Sequence, residues 1–349
     1  MLRLLSLFFN ILFLLSCKGS KKPISISIVN FKVSKGDIRA IHGTGTDTLY
    51  YADSKGNIGY TYNKGKSWSK TTIKNDDRLI PNFRSIAVNK DTIFSLSIGT
   101  PALLYKTYKD STKLIYTESH PKTFYDSMQF FKNSKIAIAV GDPTDVCPSI
   151  LISYNHGNTW EKIKCNYLPK FEEGEAFFAA SNTNIKIFEK KIWLVSGGSE
   201  ARVLQSEDVG LTWTIHDTPI IQGKNTQGIY SVDFYDELNG IIFGGDFTKP
   251  KNNNANKAIT KDGGKTWKLI SDNAGPGYKS CVKYIPNSKG KKIIAVGKTG
   301  ISYSKDGGKN WIELSDESFF VIQFINESFA WLGGQGRIGI LNLKQPLTQ

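Results

Sequence analysis

Residues 260–267 read TKDGGKTW, and residues 304–311 read SKDGGKNW. The shared pattern is a Ser or Thr, an Asp or Asn two residues later, then a Gly and a closing Trp. It occurs three more times, at residues 61–68, 153–160 and 206–213, so that five of the seven tryptophans end such an octapeptide. This pattern is the Asp-box motif. An Asp or Asn side chain can accept hydrogen bonds from backbone N–H groups within a turn, and glycine adopts positive φ without steric cost.

We therefore predict five hairpin turns in which the box residues are structural rather than catalytic. Each closing tryptophan is expected to bury a large apolar surface between sheets. The turn-forming and packing residues are Asn63, Trp68, Asn155, Trp160, Asp208, Trp213, Asp262, Trp267, Asp306 and Trp311.

The boxes belong to a longer repeat. Each repeat opens with a short strand that follows a polar or aromatic residue, and an apolar strand that ends in a glycine turn comes next. The residues that precede the seven opening strands are Arg39, Arg84, Asp126, Glu175, Tyr230, Lys279 and Phe320. The gap between the first two boxes fits two repeats, and residues 107–114 (TYKDSTKL) form a decayed copy there without the Gly or the Trp. Four strands recurring about every 47 residues are typical of the blades of a β-propeller.

The two ends of the chain complete this count. The seventh repeat stops after Leu341 with no box and no fourth strand, whereas residues 24–31 (ISISIVNF) alternate as a strand does. The N-terminal strand would supply the missing outer strand, close the ring and remove an exposed sheet edge. We predict an all-β fold, one seven-bladed β-propeller with four-stranded antiparallel blades over residues 24–349. Six or eight blades are the alternative counts.

The N-terminus indicates export. Arg3 precedes an apolar run over residues 4–15, so that residues 1–16 have the form of a secretory signal peptide. Leu14, Leu15, Ser16 and Cys17 resemble the bacterial lipobox, and residues 17–23 would then be a lipidated Cys17 and a flexible tether. Because a lysine rather than Asp follows Cys17, an outer-membrane address is favoured. An uncleaved anchor and an ordinary signal peptide are the alternatives.

The charge and the cysteine and histidine content indicate which ligands and cofactors to expect. The formal net charge is +14, but an exported chain rarely meets nucleic acid, and no basic run carries interleaved aromatic residues. Cys147 and Cys165 flank a predicted hairpin turn and could form a disulfide, while Cys281 reads as a small buried side chain. We expect no metal and no cofactor, because the histidines are scattered and residues 334–339 (GQGRIG) lack the helix that binds a dinucleotide.

Residues 174–185, 197–213, 228–250 and 277–286 resemble bacterial relatives of the photosystem II stability/assembly factor. The likeness covers nearly the whole mature chain and is strongest over residues 124–311. It implies a seven-bladed propeller that binds membrane-protein intermediates and is not an enzyme, although some relatives are labelled oxidoreductases without a defined chemistry. The decayed second box and an asparagine-rich insert depart from the family, and the lipoprotein start argues against a photosynthetic role.

Propeller loops that lead into the first and third strands of the blades gather on one face, around the mouth of the central channel. Only six of the 45 basic residues are arginines, and four of them fall in these loops. Arginine favours bidentate recognition of carboxylate or phosphate. We predict a mixed-charge mouth for a protein segment or an anionic small molecule; the alternative is that these charges pair with one another and hold the blades in register. The candidate residues are Arg39, Arg84, Asp126, Glu175, Arg202, Tyr230, Asp246, Lys279 and Arg337, with Asp142 and Asp145 beside them.

The function expected is that of a monomeric, membrane-anchored binding, scaffold or assembly factor for a protein partner in the membrane or cell envelope. No residue is assigned a catalytic role. The alternatives are an oxidoreductase of undefined chemistry, as some relatives are labelled, and a sialidase-like glycan hydrolase. For the hydrolase, Asp126, Glu175 and Tyr230 together with three arginines supply the residue types that such enzymes use. The sequence around Arg39 and the order of the groups do not match that family.

Overall fold

The computed structural model describes residues 24–74, 79–109 and 111–344. The predicted signal peptide, Cys17 and the tether lie outside these residues. Within them the chain forms seven antiparallel sheets, each with four strands running from the centre outward; in one sheet two further short strands extend this set to six. The innermost strand of each sheet contacts the innermost strand of the next, and the last contacts the first. The prediction of a seven-bladed β-propeller is therefore confirmed.

The first strand of the chain, β1 (Ser25–Asp37), precedes blade 1. The next three blades follow in order along the sequence. Blade 1 consists of β2 (Ala40–Gly43), β3 (Leu49–Ala52), β4 (Asn57–Thr61) and β5 (Ser69–Thr72); blade 2 of β6 (Asn82–Asn89), β7 (Thr92–Ile98), β8 (Ala102–Tyr108) and β9 (Ser111–Glu118); and blade 3 of β10 (Tyr125–Phe130), β11 (Ala137–Gly141), β12 (Ser149–Ser153) and β13 (Glu161–Lys162).

A 3₁₀ turn (Cys165–Tyr167) lies between blades 3 and 4. Two short strands, β14 (Glu175–Ala176) and β17 (Gly197–Gly198), extend the sheet of blade 5. The remaining blades again use four strands each. Blade 4 consists of β15 (Ile185–Phe188), β16 (Lys191–Val195), β18 (Arg202–Ser206) and β19 (Thr214–Asp217); blade 5 of β20 (Lys224–Phe234), β21 (Gly240–Asp246), β22 (Lys257–Thr260) and β23 (Lys268–Leu269); blade 6 of β24 (Cys281–Tyr284), β25 (Ile293–Gly297), β26 (Gly300–Ser304) and β27 (Ile312–Ser315); and blade 7 of β28 (Val321–Phe324), β29 (Phe329–Gly333) and β30 (Gln335–Lys344).

The fourth strand of blade 7 is β1, which pairs antiparallel with β30 from Ser25 opposite Lys344 to Lys32 opposite Arg337. This is the pairing expected from the alternating pattern of the N-terminal segment. Because adjacent strands are antiparallel, the inner strand of a blade begins, and the outer strand ends, at the same face. We call this the upper face, and the opposite face, which carries the box turns, the lower face.

All five boxes make the same hydrogen bonds. The Ser or Thr hydroxyl donates to the Asp or Asn carbonyl or carboxyl oxygen, and it accepts from the glycine N–H at 2.8–3.0 Å. The Asp or Asn oxygen accepts a further backbone N–H four residues on, at 2.8–3.0 Å. Each indole Nε1 donates to the glycine carbonyl at 2.8–3.1 Å. In all five copies these box residues therefore bind the backbone of their own turn.

The box glycines also fix the spacing between blades. A Cβ atom on Gly157 would lie 2.5 Å from the ring of Phe94 in the preceding blade, and one on Gly264 would lie 2.8 Å from Trp193. Trp160 packs edge-on against the same Phe94, with ring centroids 6.5 Å apart. Only glycine allows the turn to approach a neighbouring aromatic ring so closely.

Cys147 and Cys165 form a disulfide, with their Cα atoms 5.6 Å apart. The pairing links the loop after β11 to the 3₁₀ turn after β13, as the two positions around one hairpin suggested. Cys281 is free and fully buried, and burial raises the pKa of its thiol. Within the described residues, no helix has the length and apolarity that crossing a bilayer requires.

One predicted strand is wrong. The segment that starts at Glu175 was expected to be the inner strand of blade 4, but that strand is β15, which starts at Ile185. Only Glu175 and Ala176 form a strand, and they pair with β17 rather than with blade 4. The apolar residues that follow, 177–180, line the channel instead of a sheet.

We predict that Gly157→Ala destabilises the fold more than Gly210→Ala. Both glycines have positive φ, 77° and 87°, so each substitution carries the cost of a left-handed alanine, about 1–2 kcal/mol. Only the Cβ at residue 157 would also overlap an aromatic ring, since at Gly210 the nearest atom is 3.5 Å away. Overpacking should add roughly 1–3 kcal/mol, measured by urea denaturation of the two variants. Equal losses would contradict the proposed blade contact.

Candidate functional site

The upper face carries a cavity of about 1130 Å³ at the mouth of the channel. All seven blades, or the loops that lead into them, contribute to its wall. Four of the predicted site residues line it directly, and so does Asp142 from the wider prediction. These residues are Arg39, Arg84, Tyr230, Arg337 and Asp142.

The floor of this mouth is formed by residues 177–184, which we call the channel segment. It lies between β14 and β15 and reaches side chains of several other blades. Arg39 Nη1 donates to the carbonyl of Ala180 at 3.2 Å, and Arg84 Nη1 donates to the carbonyl of Ala179 at 3.1 Å. The two arginines therefore hold the floor of the mouth as well as lining its wall.

The channel segment separates two cavities. Its upper side, with Ala179 and Ala180, faces the mouth, and its lower side faces a second cavity of about 670 Å³. Asn182 fixes the lower side, because it donates to the Ile86 carbonyl and accepts from the Met128 N–H, both at 2.9 Å. A ligand that enters from the upper face thus meets a closed floor.

Aromatic side chains that the sequence analysis did not assign form one wall of the mouth. Phe178 stacks on Tyr230 with ring centroids 4.1 Å apart, and Tyr278 meets Tyr230 edge-on at 4.8 Å. The guanidinium of Arg39 lies over Phe320, with Cζ 3.7 Å from the centroid of the phenyl ring. The side chain of Phe247 is 44% exposed. A partial signal existed, since Tyr278 and Phe320 stand just before the inner strands of their blades.

Other predicted residues pair with one another outside the mouth. Arg202 forms a salt bridge with Glu175, whose side chain has no exposed surface. The Nη2 atom of Arg202 also donates to the Lys170 carbonyl at 3.1 Å. Glu175 accepts a further bond from Ser196 at 2.6 Å. For this pair the structure favours the alternative expectation, that charges hold neighbouring blade loops together.

Lys279 and Asp246 are also buried structural groups. Lys279 Nζ donates to the Gly300 carbonyl at 2.9 Å, and burial lowers the pKa of its ammonium to about 8. Asp246 accepts from the Thr248 hydroxyl at 2.6 Å and from Gln227 at 3.2 Å. Neither residue lines the mouth.

Two carboxyl groups stand close to the arginines. Asp126 is completely buried, and neither of its carboxyl oxygens has a hydrogen-bond partner within the described residues. Burial, and then the neighbouring Asp142, raise the pKa of Asp126 well above its ordinary value, although Arg84 opposes this. Burial also raises the pKa of Asp142 to about 7, despite the hydrogen bond that Asp142 accepts from the Phe177 N–H at 2.7 Å.

Among the described residues, the mouth has a net positive charge. Arg39, Arg84, Arg337 and the exposed Lys298 line it, whereas Asp142 is the one carboxyl that these residues place in its wall, and it is partly protonated near neutral pH. Arg337 is offset by Glu317 at 2.9 Å. Burial, followed by repulsion from Arg39, lowers the pKa of Arg84 to about 10, which leaves it charged at neutral pH.

The groups a sialidase would need are not brought together. Arg202 and Glu175 are paired outside the mouth, and the Tyr230 hydroxyl donates to the Thr226 carbonyl at 2.9 Å. Among the residues that the structure describes, no three His, Cys, Asp or Glu side chains are grouped to hold a metal ion.

The chain is thus a seven-bladed β-propeller with a cationic, aromatic-lined mouth on its upper face. No protein-family model matches the chain, and no curated protein matches its sequence. The solved structures with a similar fold include two of YCF48 and one of U3-55K. YCF48 bound to D1 peptide has a TM-score of 0.65 and 13% sequence identity, and the match covers 91% of this chain and 95% of that chain. YCF48 from Cyanidioschyzon merolae has a TM-score of 0.64 and 15% identity, with coverages of 91% and 99%. U3-55K has a TM-score of 0.65 and 11% identity, with coverages of 90% and 98%.

YCF48 is a photosystem II assembly factor, so the fold expected from the sequence resemblance is confirmed. Similar coverage by U3-55K shows that the same architecture also occurs elsewhere. At these identities the comparisons establish the fold, and the chemistry of the mouth has to be argued from its own residues.

We predict that Asp142 makes a contribution to the free energy of unfolding that falls as the pH rises from about 4 to about 7, and that Asp142→Asn removes this part of the pH slope. The folded pKa of Asp142, about 7, lies above the ordinary value of roughly 3.9, so its contribution is complete at low pH and is lost as pH rises through 7. Urea denaturation at several pH values measures the slope. The exposed Asp145→Asn is the matched control for loss of a carboxylate. Asp126, whose pKa is also raised, leaves a residual slope, so the result that would contradict the assignment is a slope that Asp142→Asn does not change.

Proposed function

We propose that this protein is a non-catalytic binding module that captures an acidic protein segment in the mouth on its upper face. The observation that carries the proposal is the placement of Arg39 and Arg84 together beside an aromatic wall in a cavity of about 1130 Å³. A cavity of this volume accommodates a few residues of an extended chain.

The arginines keep donors for a ligand. Arg39 Nη2 makes only a long contact with Asp37, at 3.5 Å, and so keeps donor capacity for a ligand. Arg84 uses Nε on Asn82 and Nη1 on the channel segment, which leaves Nη2 without a partner among those residues. Guanidinium groups with free donors in a partly desolvated site favour carboxylates.

The aromatic wall suits a neighbouring apolar side chain of the same segment. Phe247 is exposed at the rim, and the Phe178–Tyr230 stack offers a flat surface. Buried aromatic and arginine anchors are the groups that dominate the energetics of protein interfaces. That YCF48, a similar fold, has been seen bound to D1 peptide supports a protein segment over an anionic small molecule.

We further propose that the protein is exported, acts as a monomer and is lipidated at Cys17, so that its partners are membrane or cell-envelope proteins. The support is the sequence of residues 1–17 and the lysine-containing tether that follows. An outer-membrane address is the favoured one, because a lysine follows Cys17. Acyl chains on one cysteine would hold the propeller at a membrane surface.

We predict that random heptapeptides selected on the immobilised protein are enriched in Asp and Glu, and that Arg39→Gln with Arg84→Gln abolishes this enrichment. Loss of two charge-assisted contacts should weaken binding of a selected peptide at least about tenfold, measured by isothermal calorimetry. Glutamine keeps a donor for the channel segment, and thermal unfolding checks that the fold is intact.

Lys249→Gln with Lys251→Gln removes the same charge from an upper-face loop outside the mouth and serves as the control. Selected peptides without acidic residues, or acidic peptides that bind the arginine variant as tightly as the unchanged protein, would argue against the mouth as the site.

We predict that the protein made in a bacterial host incorporates labelled palmitate and that Cys17→Ser removes both the label and the membrane association. Cys281→Ser, which changes a buried thiol, should retain the label. Fractionation followed by fluorography measures both. Membrane association without label would favour an uncleaved anchor instead.

A further inference from the structure

We propose that the lower face of the propeller docks on an anionic lipid bilayer, with blades 6, 7 and 1 against the surface. This inference rests on the proposed lipid anchor for its setting, but the docking surface is argued from residues of the propeller itself. It also fixes an orientation, because the mouth then points away from the membrane.

The first argument is where the chain leaves the propeller. β1 starts at Ser25, opposite Lys344, and ends at Asp37, two residues before Arg39 in the upper mouth. Its start is therefore at the lower face. A tether over residues 17–23 spans at most roughly 24 Å, so an anchor at Cys17 would keep the lower face close to the bilayer.

The second argument is the charge around this point. The box turns and the loops between the first two strands in blades 6 and 1 carry six exposed lysines. Within the described part of the chain, none of the six forms an ion pair with an acidic side chain. They are Lys64, Lys66, Lys289, Lys291, Lys305 and Lys309.

Acidic side chains in the same sector are few. Asp306 is held inside its box by Ser304 and Asn310, and Glu327 accepts from the Asn287 amide at 3.0 Å. Asp47 is the third. Lysines in such excess attract anionic head groups. Each lysine near the surface should raise the binding constant for an anionic membrane about fivefold.

The lower face of blades 4 and 5 differs in charge from that of blades 6, 7 and 1. Lys191 is engaged by Glu237 at 2.9 Å and by Glu207 at 3.9 Å. The turns of these two blades also hold Lys190, Lys261 and Lys265, but acidic residues outnumber the lysines there, since Glu189, Asp208, Asp236 and Asp262 lie in the same turns. An anionic surface would therefore attract blades 4 and 5 less, so the propeller should tilt towards blades 6, 7 and 1.

A tyrosine cluster lies in the basic sector. Tyr62, in the box turn of blade 1, is 56% exposed and packs against Tyr60 with ring centroids 4.9 Å apart. Tyrosine is enriched at membrane–water interfaces, where an apolar ring and a polar hydroxyl are both accommodated. The cluster adds an interfacial contact to the electrostatic one and points to a lipid surface as the occupant.

The test uses the full chain with Cys17→Ser, so that acyl chains do not contribute. Co-sedimentation is measured with phosphatidylcholine vesicles and with vesicles that also contain phosphatidylglycerol. We expect binding only to the anionic vesicles, weakened by added salt because exposed charges are screened. Lys66→Glu, Lys291→Glu and Lys309→Glu together should reduce that binding by at least about 100-fold.

The matched control reverses three exposed lysines on the upper face, Lys122→Glu, Lys249→Glu and Lys251→Glu, with the same change in net charge. It should lower binding by less than about threefold, since these groups would lie beyond the screening length from the lipid. Equal losses in the two triple variants, or no preference for anionic vesicles, would overturn the docking face. Palmitate labelling and heptapeptide binding are measured separately, so either result leaves the anchor and the mouth to be judged by their own experiments.

Discussion

The hydrogen-bonded box turn is the constraint on which this propeller depends. In each copy a hydroxyl, a carboxyl or amide oxygen and an indole N–H bind the same few backbone groups, so that the turn has one geometry. Burial by itself would raise the pKa of Asp262, yet hydrogen bonds from Thr266 and Thr260 and from backbone N–H groups lower it to about 2. Blade 2, whose box is decayed, has longer outer strands instead. Its strands β8 and β9 are seven and eight residues long, whereas β13 in blade 3, which has an intact box, is two residues long.

Features that repeat could be predicted from the sequence, and the exception at blade 4 has a physical reason. The apolar run after Glu175 has the composition of an inner strand, and its residues are buried as such a strand would be. They are buried against the channel wall, however, where Arg39 and Arg84 rather than a neighbouring strand satisfy the carbonyls of Ala180 and Ala179. An apolar pattern reports burial, and it does not report which groups satisfy the backbone.

For a similar reason, the sequence predicted only part of the candidate site. Loop position placed the arginines on the correct face, but only the folded chain shows that Arg202 meets Glu175 while Arg39 and Arg84 retain free donors. Such pairing depends on loops of different blades, and periodicity contains no information about it. The aromatic wall was missed because Phe178 belongs to the channel segment, which has no counterpart in the other repeats.

The two faces differ in what restrains them. Box turns on the lower face are fixed by their own hydrogen bonds, so their outward positions can carry lysines without disturbing the fold. Loops on the upper face have no such common turn, and Asp142, Arg39 and Arg84 instead hold the channel segment across the mouth. The strand β1 connects the two faces, since it rises from the lower face along blade 7 and delivers Arg39 to the mouth directly after it ends. The edge of blade 7 is thus connected, through Asp37 and Arg39, to the floor of the mouth.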